Sequence, residues 1–251
     1  DAVYLGGKSF NARQNADNFS DEELQAAVDF AHKRSVKVFV TMNTLMTDDE
    51  LDGALKYAAF LYEAGVDALI IQDLGLGKLI REYMPDFPLH LSTQATVCDA
   101  MGAETALRLG YERVVLSREL SLAEIRQICS STEADIEVFV HGALCVCYSG
   151  QCQLSRYFGG RSGNRGKCAQ PCRLNYSFYD IEQNREVEEF DSIPLLSLKD
   201  FIAGESIYEL IEAGIKTFKI EGRMKGPAYT SSVVEYYRQI IDNYYSGKNV
   251  D

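Results

Sequence analysis

Short apolar runs rich in Val, Ile and Leu recur along the chain at Ala2–Leu5, Lys37–Met42, Ala68–Ile71, Leu89–Ser92, Arg113–Ser117 and Ile136–Val140. Near-continuous apolarity suits strands buried on both faces, as in a parallel sheet covered by helices. Between the runs lie amphipathic stretches such as Asp21–Arg34, where Leu24, Ala27, Val28 and Ala31 fall on one helical face. The punctuation agrees. Ser20 with Glu23 forms a capping box, and Ala64-Gly65, Leu109-Gly110 and Ala213-Gly214 stop a helix ahead of a new strand. The alternation resumes after residue 193, with a strand at Pro194–Leu198, a helix at Tyr208–Ala213, a strand at Phe218–Ile220 and a long helix from about Tyr229 to Tyr245. Eight candidate strands in βα repeats predict an α/β fold, a TIM-like (β/α)8 barrel. An open doubly wound sheet is the competing arrangement. Its dinucleotide-binding form is disfavoured, because no G-x-G-x-x-G follows the first strand.

One segment breaks the pattern. Residues 143–193 are rich in glycine and cysteine and contain a hairpin pattern, Leu174–Ile181 against Glu186–Phe190. The organisation expected is therefore a barrel of residues 1–142 and 194–251 with a cysteine-rich insertion at 143–193. No apolar run approaches the ~20 residues of a membrane span, so no membrane partner is expected. The chain opens at once on the strand-like Ala2–Leu5 without a leader, and a segment upstream is expected to be missing.

In such barrels the reactive groups sit at the C-terminal ends of the strands. Those positions hold Gly6-Gly7, Asn43, Gln72-Asp73, Thr93-Gln94, Arg118-Glu119, His141 and Glu221–Arg223. As a set they predict a ligand pocket, with Asn43, Asp73 and Gln94 as hydrogen-bonding groups. Five of the seven cysteines lie between Cys145 and Cys172, which in a chain without a secretion signal points to metal or redox chemistry and a reducing cytoplasm. Cys145 and Cys152 are spaced C-x6-C, and Cys168 and Cys172 C-x3-C. Four thiolates complete either a [4Fe–4S] cube or tetrahedral zinc, and the loose first spacing tilts toward the cluster. Cys147 would point away on an extended segment, and Cys98 and Cys129 read as buried small hydrophobes.

Charge first argues against nucleic acid, since 37 acidic against 25 basic side chains leave a net charge of -12 over 251 residues. Its distribution reverses that. From His141 to Tyr179 there is no Asp or Glu, and the same stretch holds Arg156, Arg161, Arg165, Lys167 and Arg173. With Tyr148, Tyr157 and Phe158 available to stack on bases, this cationic surface suits a single-stranded, phosphate-bearing partner. The same cations would also offset the charge of a thiolate-held cluster. His32, His90 and His141 form no H-E-x-x-H, no G-x-S-x-G elbow occurs, and Gly166-Lys167 lacks the first glycine and the hydroxyl of a phosphate loop.

The stretch from Phe139-Val140-His141-Gly142-Ala143-Leu144-Cys145 through Tyr148-Ser149-Gly150-Gln151-Cys152 to Cys168-Ala169-Gln170-Pro171-Cys172-Arg173 resembles the signature of the U32 peptidase family, often labelled collagenase-like proteases. Tyr4-Leu5-Gly6-Gly7, His90-Leu91-Ser92-Thr93-Gln94 and Lys219-Ile220-Glu221-Gly222-Arg223-Met224-Lys225 agree, so the likeness runs over essentially the whole chain. Family members open with a strand like Leu-Leu-Ala-Pro-Ala-Gly ahead of the Tyr-Leu-Gly-Gly strand. With that strand added, one of the eight counted here would lie outside the barrel. The resemblance implies an oxygen-independent hydroxylase. The branch carrying the Ile-Glu-Gly-Arg-Met-Lys motif makes 5-hydroxyuridine in tRNA and draws on prephenate. Other branches act on ribosomal RNA or in ubiquinone synthesis and bind [4Fe–4S] clusters. By position Cys145, Cys152 and Cys168 match cluster ligands. Some relatives take a ligand just after Ser-x-Lys-Asp, but here Phe201-Ile202 follows Ser197-Leu198-Lys199-Asp200, which leaves Cys172 as fourth. Arg223 and Lys225 are placed to grip the carboxylates of a small co-substrate, Glu221 to pair with Arg223, and His141 to act as acid or base. tRNA is the expected partner, with a homologous chain or a second copy as a further one. A collagenolytic peptidase, as the family label says, and a zinc-stabilised RNA-binding module are the alternatives.

Overall fold

Six of the apolar runs form strands where the pattern puts them. In the computed structural model, which describes residues 1–14, 16–187, 191–222 and 225–247, these are β1 (Ala2–Leu5), β2 (Lys37–Met42), β3 (Ala68–Ile71), β4 (Leu89–Leu91), β5 (Arg113–Val115) and β6 (Asp135–Gly142). Between them lie helices α1 (Asp21–His32), α2 (Asp48–Glu63), α3 (Leu74–Tyr83), α4 (Ala100–Arg108) and α5 (Leu122–Ser131). The insertion contributes α6 (Leu154–Gly159) and the pair β7 (Tyr179–Asp180) and β8 (Arg185–Glu186). The chain then returns through β9 (Phe201–Ile202), α7 (Ser206–Glu212), β10 (Thr217–Ile220) and α8 (Pro227–Ser246).

The helix starts follow from short polar side chains satisfying orphan amides. Ser20 and Ser121 cap α1 and α5 in full capping boxes with Glu23 and Glu124. Asp73 and Asp99 accept from the third amide of α3 and α4. Each helix lays its apolar stripe on the sheet. Leu24 and Val28 of α1, Leu61 of α2 and Ile80 of α3 pack with Val38, Val40, Leu69 and Ile71 in one core. All four residues of β3 are buried, the expected state of a strand with helices outside and barrel interior within.

The sheet runs β1-β2-β3-β4-β5-β6-β10, every neighbouring pair parallel. One expected strand is absent. Pro194–Leu198 turns on itself through Leu195 N to Ile193 O and Ser197 N to Pro194 O. Pro194 has no amide for a ladder, which removes the segment as a sheet member. Instead β9 pairs antiparallel with the end of β6, Ile202 opposite His141 and Phe201 opposite Gly142. The fold is thus TIM-like with seven parallel strands, and among the described residues β1 and β10 do not pair with each other. A mainly apolar cavity of about 750 Å³ lies in that seam, lined by Tyr4, Leu5, Phe19, Phe218, Ile220 and Val234 among others. No described helix is long and apolar enough to cross a membrane.

The insertion hairpin pairs Tyr179 with Glu186 and Asp180 with Arg185, and Tyr176 bridges Ile193. Residues 188–190 of its expected second arm lie outside the described residues.

Charged side chains sit within the sheet's curve. Glu137, 2% exposed, meets Lys219 Nζ at 2.5 Å and Arg113 at 3.4 Å, and Arg113 also pairs with Asp135 at 2.7 Å. Burial alone would raise the Glu137 carboxyl, but Lys219 and Arg113 outweigh it and hold it below the usual range. His90 is buried beside them, edge-on to Phe39 at 4.7 Å, and its Nδ1 has no hydrogen-bond partner among the described residues. Burial, reinforced by Arg113, pushes its pKa down to about 3. The unfolded chain therefore takes up a proton near pH ~6.5 that the folded one refuses. The stability this contributes is whole above that pH and drains away as pH falls toward about 3. Urea unfolding at neutral and mildly acid pH should show His90→Leu losing less stability on acidification than the wild type. Equal losses would rule the effect out.

Candidate functional site

Parallel strands deliver their C-terminal ends to one rim, and the insertion folds back over it. Its attachment is a set of specific backbone contacts. Ser149 N donates to Glu119 Oε1 at 3.2 Å, Thr96 Oγ1 donates to Ser149 O at 2.5 Å, and Leu45 N donates to Asn164 O at 3.1 Å. Arg165 reaches Leu45 O at 3.1 Å and Glu50 at 2.6 Å, and that pairing holds the Glu50 carboxyl down at about 2. Arg173 donates to Leu144 O, Ser197 Oγ and Leu198 O, joining the two ends of the insertion. Two glycines allow the close fit. Gly150 (φ 76°) and Gly166 (φ 75°) are left-handed, and a Cβ on them would collide with Gln94 O and Asn11 O respectively.

Between rim and insertion lies a cavity of about 140 Å³. Cys145, Cys152, Cys168 and Cys172 all line it. Facing them are Asn43 after β2, Gln94 after β4, Arg118 after β5, Glu221 after β10 and Arg13 from the loop after β1. The Cys168 sulfur accepts from Gln170 N at 3.4 Å and Ser155 Oγ at 3.8 Å. Burial raises the Cys172 thiol against the opposing pull of Arg173, and neighbouring Cys145, Cys168 and Cys152 add to the rise. Cys147 does not line the cavity; burial and the adjoining Cys152 and Cys145 raise its thiol. Among the described residues no three Cys, His, Asp or Glu are drawn together tightly enough to grip one ion.

The other expected site residues divide. Asn43 Oδ1 accepts from Ala12 N at 3.0 Å, so its carbonyl end fixes the loop that carries Arg13. Asp73 is committed to structure, accepting from Leu76 N at 2.8 Å and Met46 N at 3.0 Å, and is not among the cavity residues. His141 also stands apart, its Nδ1 3.2 Å from Tyr237 Oη and its ring against Tyr229 and Tyr237. Burial lowers its pKa, with Asp200 opposing and Lys225 adding to the fall. Lys225 pairs with Asp200 at 3.2 Å and lines the seam cavity instead. Arg223, expected beside Glu221, lies outside the described residues. Among the described residues Glu221 pairs with Arg118, at 3.5 Å.

On the outer face of the insertion Tyr157, Phe158 and Tyr148 are exposed, Tyr157 by 84%. Arg161 and Lys167 are exposed as well, Lys167 on a cavity with Lys8, Gln14 and Glu50, and Arg156 bonds Gly160 O at the end of its own helix. Arg165 and Arg173 act mainly as struts, as described above. Of the two arginines in the cavity, Arg118 was expected only as one of the strand-end set and Arg13 was not expected at all. Arg118 was visible as a polar strand end; Arg13 sits in a loop with no motif to mark it.

Two expected outcomes test the docking. Gly150→Ala should lower the thermal midpoint, since a left-handed alanine alone costs about 1–2 kcal/mol, and should speed reaction of the site thiols with a thiol reagent. Gly159→Ala, whose added methyl meets nothing within 4 Å, should change neither.

Comparison with known proteins places this geometry. The model of peptidase family U32 matches residues 1–251. A 23S rRNA 5-hydroxycytidine synthase of Escherichia coli (strain K12) is 46% identical over 242 residues, covering 96% of this chain and 36% of that protein. The tRNA hydroxylation protein P1 of Bacillus subtilis (strain 168) is 40% identical over 247 residues, covering 97% of this chain and 58% of that protein. The chain thus spans between about a third and three fifths of the length of these relatives. The solved U32 peptidase Mk0906 shares the fold, with a TM-score of 0.50 and 18% identity over 57% of this chain and 62% of that one.

Proposed function

The chain belongs to peptidase family U32, and from that premise we propose that it is the reaction-centre portion of an iron–sulfur-dependent, oxygen-independent RNA hydroxylase forming 5-hydroxyuridine in tRNA. The observation that carries this reading is the convergence of Cys145, Cys152, Cys168 and Cys172 on one cavity at the C-terminal rim of the barrel. Soft thiols suit iron or zinc alike. The loose C-x6-C spacing of Cys145 and Cys152, unlike the close pairs of a zinc knuckle, favours the cluster. A [4Fe–4S] cluster bound by these four residues would supply one-electron redox chemistry.

The rest follows from this chain's own side chains. Gln170 N and Ser155 Oγ direct hydrogen bonds at the Cys168 sulfur and fix its orientation. Arg118 and Glu221 form the opposite wall and keep charge close to the reacting groups. Outside, Arg161 and Lys167 offer contacts to phosphates, while Tyr148, Tyr157 and Phe158 offer rings on which an unpaired base stacks. The net charge of -12 repels RNA from the remaining surface and leaves this face as the approach. Prephenate is the oxygen donor proposed, and the cytoplasm the compartment, in keeping with five reduced thiols in one segment. A second reading, ribosomal cytidine as target, is favoured by the higher identity to the rRNA enzyme.

Anaerobic purification tests the cofactor. Broad absorption near ~400 nm with matching iron and sulfide is expected, and a colourless zinc protein would refute the reading. Nucleoside mass spectrometry of a deletion strain tests the substrate: loss of 5-hydroxyuridine from tRNA is expected, and loss of 5-hydroxycytidine from 23S rRNA instead would establish the second reading. Tyr157→Ala with Phe158→Ala should weaken RNA binding by about tenfold or more, from stacking worth about 1–3 kcal/mol per base, without altering the iron content.

A further inference from the structure

A second cavity, of about 280 Å³, opens on the other side of the loops that wall the cysteine cavity. Neighbouring residues of three loops divide between the two spaces: Arg13 from Gln14, Asn43 from Thr44, and Asn164 from Arg165. Each loop thus turns one residue to the thiols and the next to this second space. Like the first, it exists only because the insertion folds over the rim. Gly166 (φ 75°) lets the two sides meet, since a Cβ there would strike Asn11 O and the Gln14 side chain.

The charge of this cavity is one-sided. Lys8, from the loop after β1, and Lys167, from the insertion, both line it, and both are exposed. Neither ammonium makes an ion pair or hydrogen bond among the described residues, and the pull of Lys8 on Glu22 is the weakest of the effects on that carboxyl. The carboxylate in the lining, Glu50, is already matched by Arg165 at 2.6 Å and accepts from Thr47 N at 2.9 Å. With that pair cancelling, Lys8 and Lys167 leave the cavity cationic within a protein of net charge -12.

Like charges turned on one space from two segments favour an anion between them. Ammonium groups act as point charges with rotatable donors, which suits a tetrahedral phosphate more than the planar fork of a carboxylate. Because both lysines are exposed, the anion is met at an open mouth, where a polymer can pass. The Phe10 ring lines the same space and offers an apolar wall to the sugar or base beside the phosphate. We propose that Lys8 and Lys167 together clamp one backbone phosphodiester of a single-stranded RNA at this junction, next to the cysteine cavity. This rests on the reading of the protein as an RNA hydroxylase and adds a contact from the barrel itself to those of the insertion. A phosphate held by both lysines also ties the insertion to the rim.

The test is fluorescence anisotropy with a labelled single-stranded oligouridylate of about ten residues, a typical site size, over a series of salt concentrations. Lys8→Gln and Lys167→Gln should each weaken binding about threefold, as for an exposed charge pair. The double variant should lower the salt slope by about 0.7, the share of one phosphate contact on a single strand. Since both lysines hold the same phosphate, their effects should fall short of adding. Lys216→Gln removes the same charge just before β10, at the opposite rim, and should change neither affinity nor slope. Equal losses in all three single variants would reflect net charge alone and overturn the clamp. So would strictly additive losses with twice that change of slope, which mean two separate phosphates. Inorganic phosphate that binds at these lysines and is not displaced by the oligonucleotide would make this a site for the free ion and overturn it too. Wild-type affinity in both lysine variants, beside a loss on Tyr157→Ala with Phe158→Ala, would sink the clamp and leave the RNA reading standing. A wild type that binds no oligouridylate at low salt would sink both.

Discussion

Parallel pairing of the strands is the constraint from which the rest follows. A strand that must lie parallel to its neighbour can be reached only by crossing back over the sheet, so each connection becomes a helix. Every C-terminal end then opens on the same rim. Seven strands from β1 to β10 obey this rule, and groups as distant in sequence as Arg13, Asn43, Gln94, Arg118 and Glu221 become neighbours as a result. The one strand that breaks it, β9, is two residues long and runs antiparallel on β6. It marks where the chain comes back from its excursion over the rim.

That excursion is held by geometry more than by apolar burial. The insertion has few wholly buried residues of its own, among them Ser149, Ser155, Gly166 and Pro171. It is fixed by backbone hydrogen bonds to the strand-end loops, by Arg165 on Glu50 and Arg173 on its own flanks, and by two left-handed glycines that let main chain meet main chain. A loop held this way keeps its thiols at defined places without a core beneath them. The same economy explains the charge pattern. Two of the five cations serve as struts, and the other three remain on the surface of a segment that also exposes aromatic rings, within a protein of net charge -12.

The barrel interior shows the opposite solution. Glu137, Lys219 and Arg113 are buried ions that are tolerable because each faces an opposite charge. His90 beside them stays neutral chiefly because burial penalises a charged ring, and the Arg113 and Lys219 cations add to that. Glu137 and Lys219 also line the apolar seam between β1 and β10, and Tyr4 lines both that seam and the cysteine cavity.

The sequence by itself determined the periodic features. Strands and helices were legible because burial on both faces leaves continuous apolar runs, and because Ser20, Asp73, Asp99 and Ser121 mark helix starts by local hydrogen bonds. The four thiols were legible because soft ligands of one type in one short segment are rare without a shared purpose. Pro194–Leu198 misled because an apolar run names no hydrogen-bond partner, and Pro194 lacks the amide a strand needs. His141 and Asp73 were judged by their places at strand ends and Lys225 by a motif shared with the family, and neither says which neighbour a side chain meets: Tyr237, the Leu76 and Met46 amides, and Asp200 respectively. Only the tertiary structure decided that Arg13 and Arg118 share a cavity with the cysteines. They are 105 residues apart in a chain of 251, and no local pattern records a contact that exists solely because parallel strands end on the same rim.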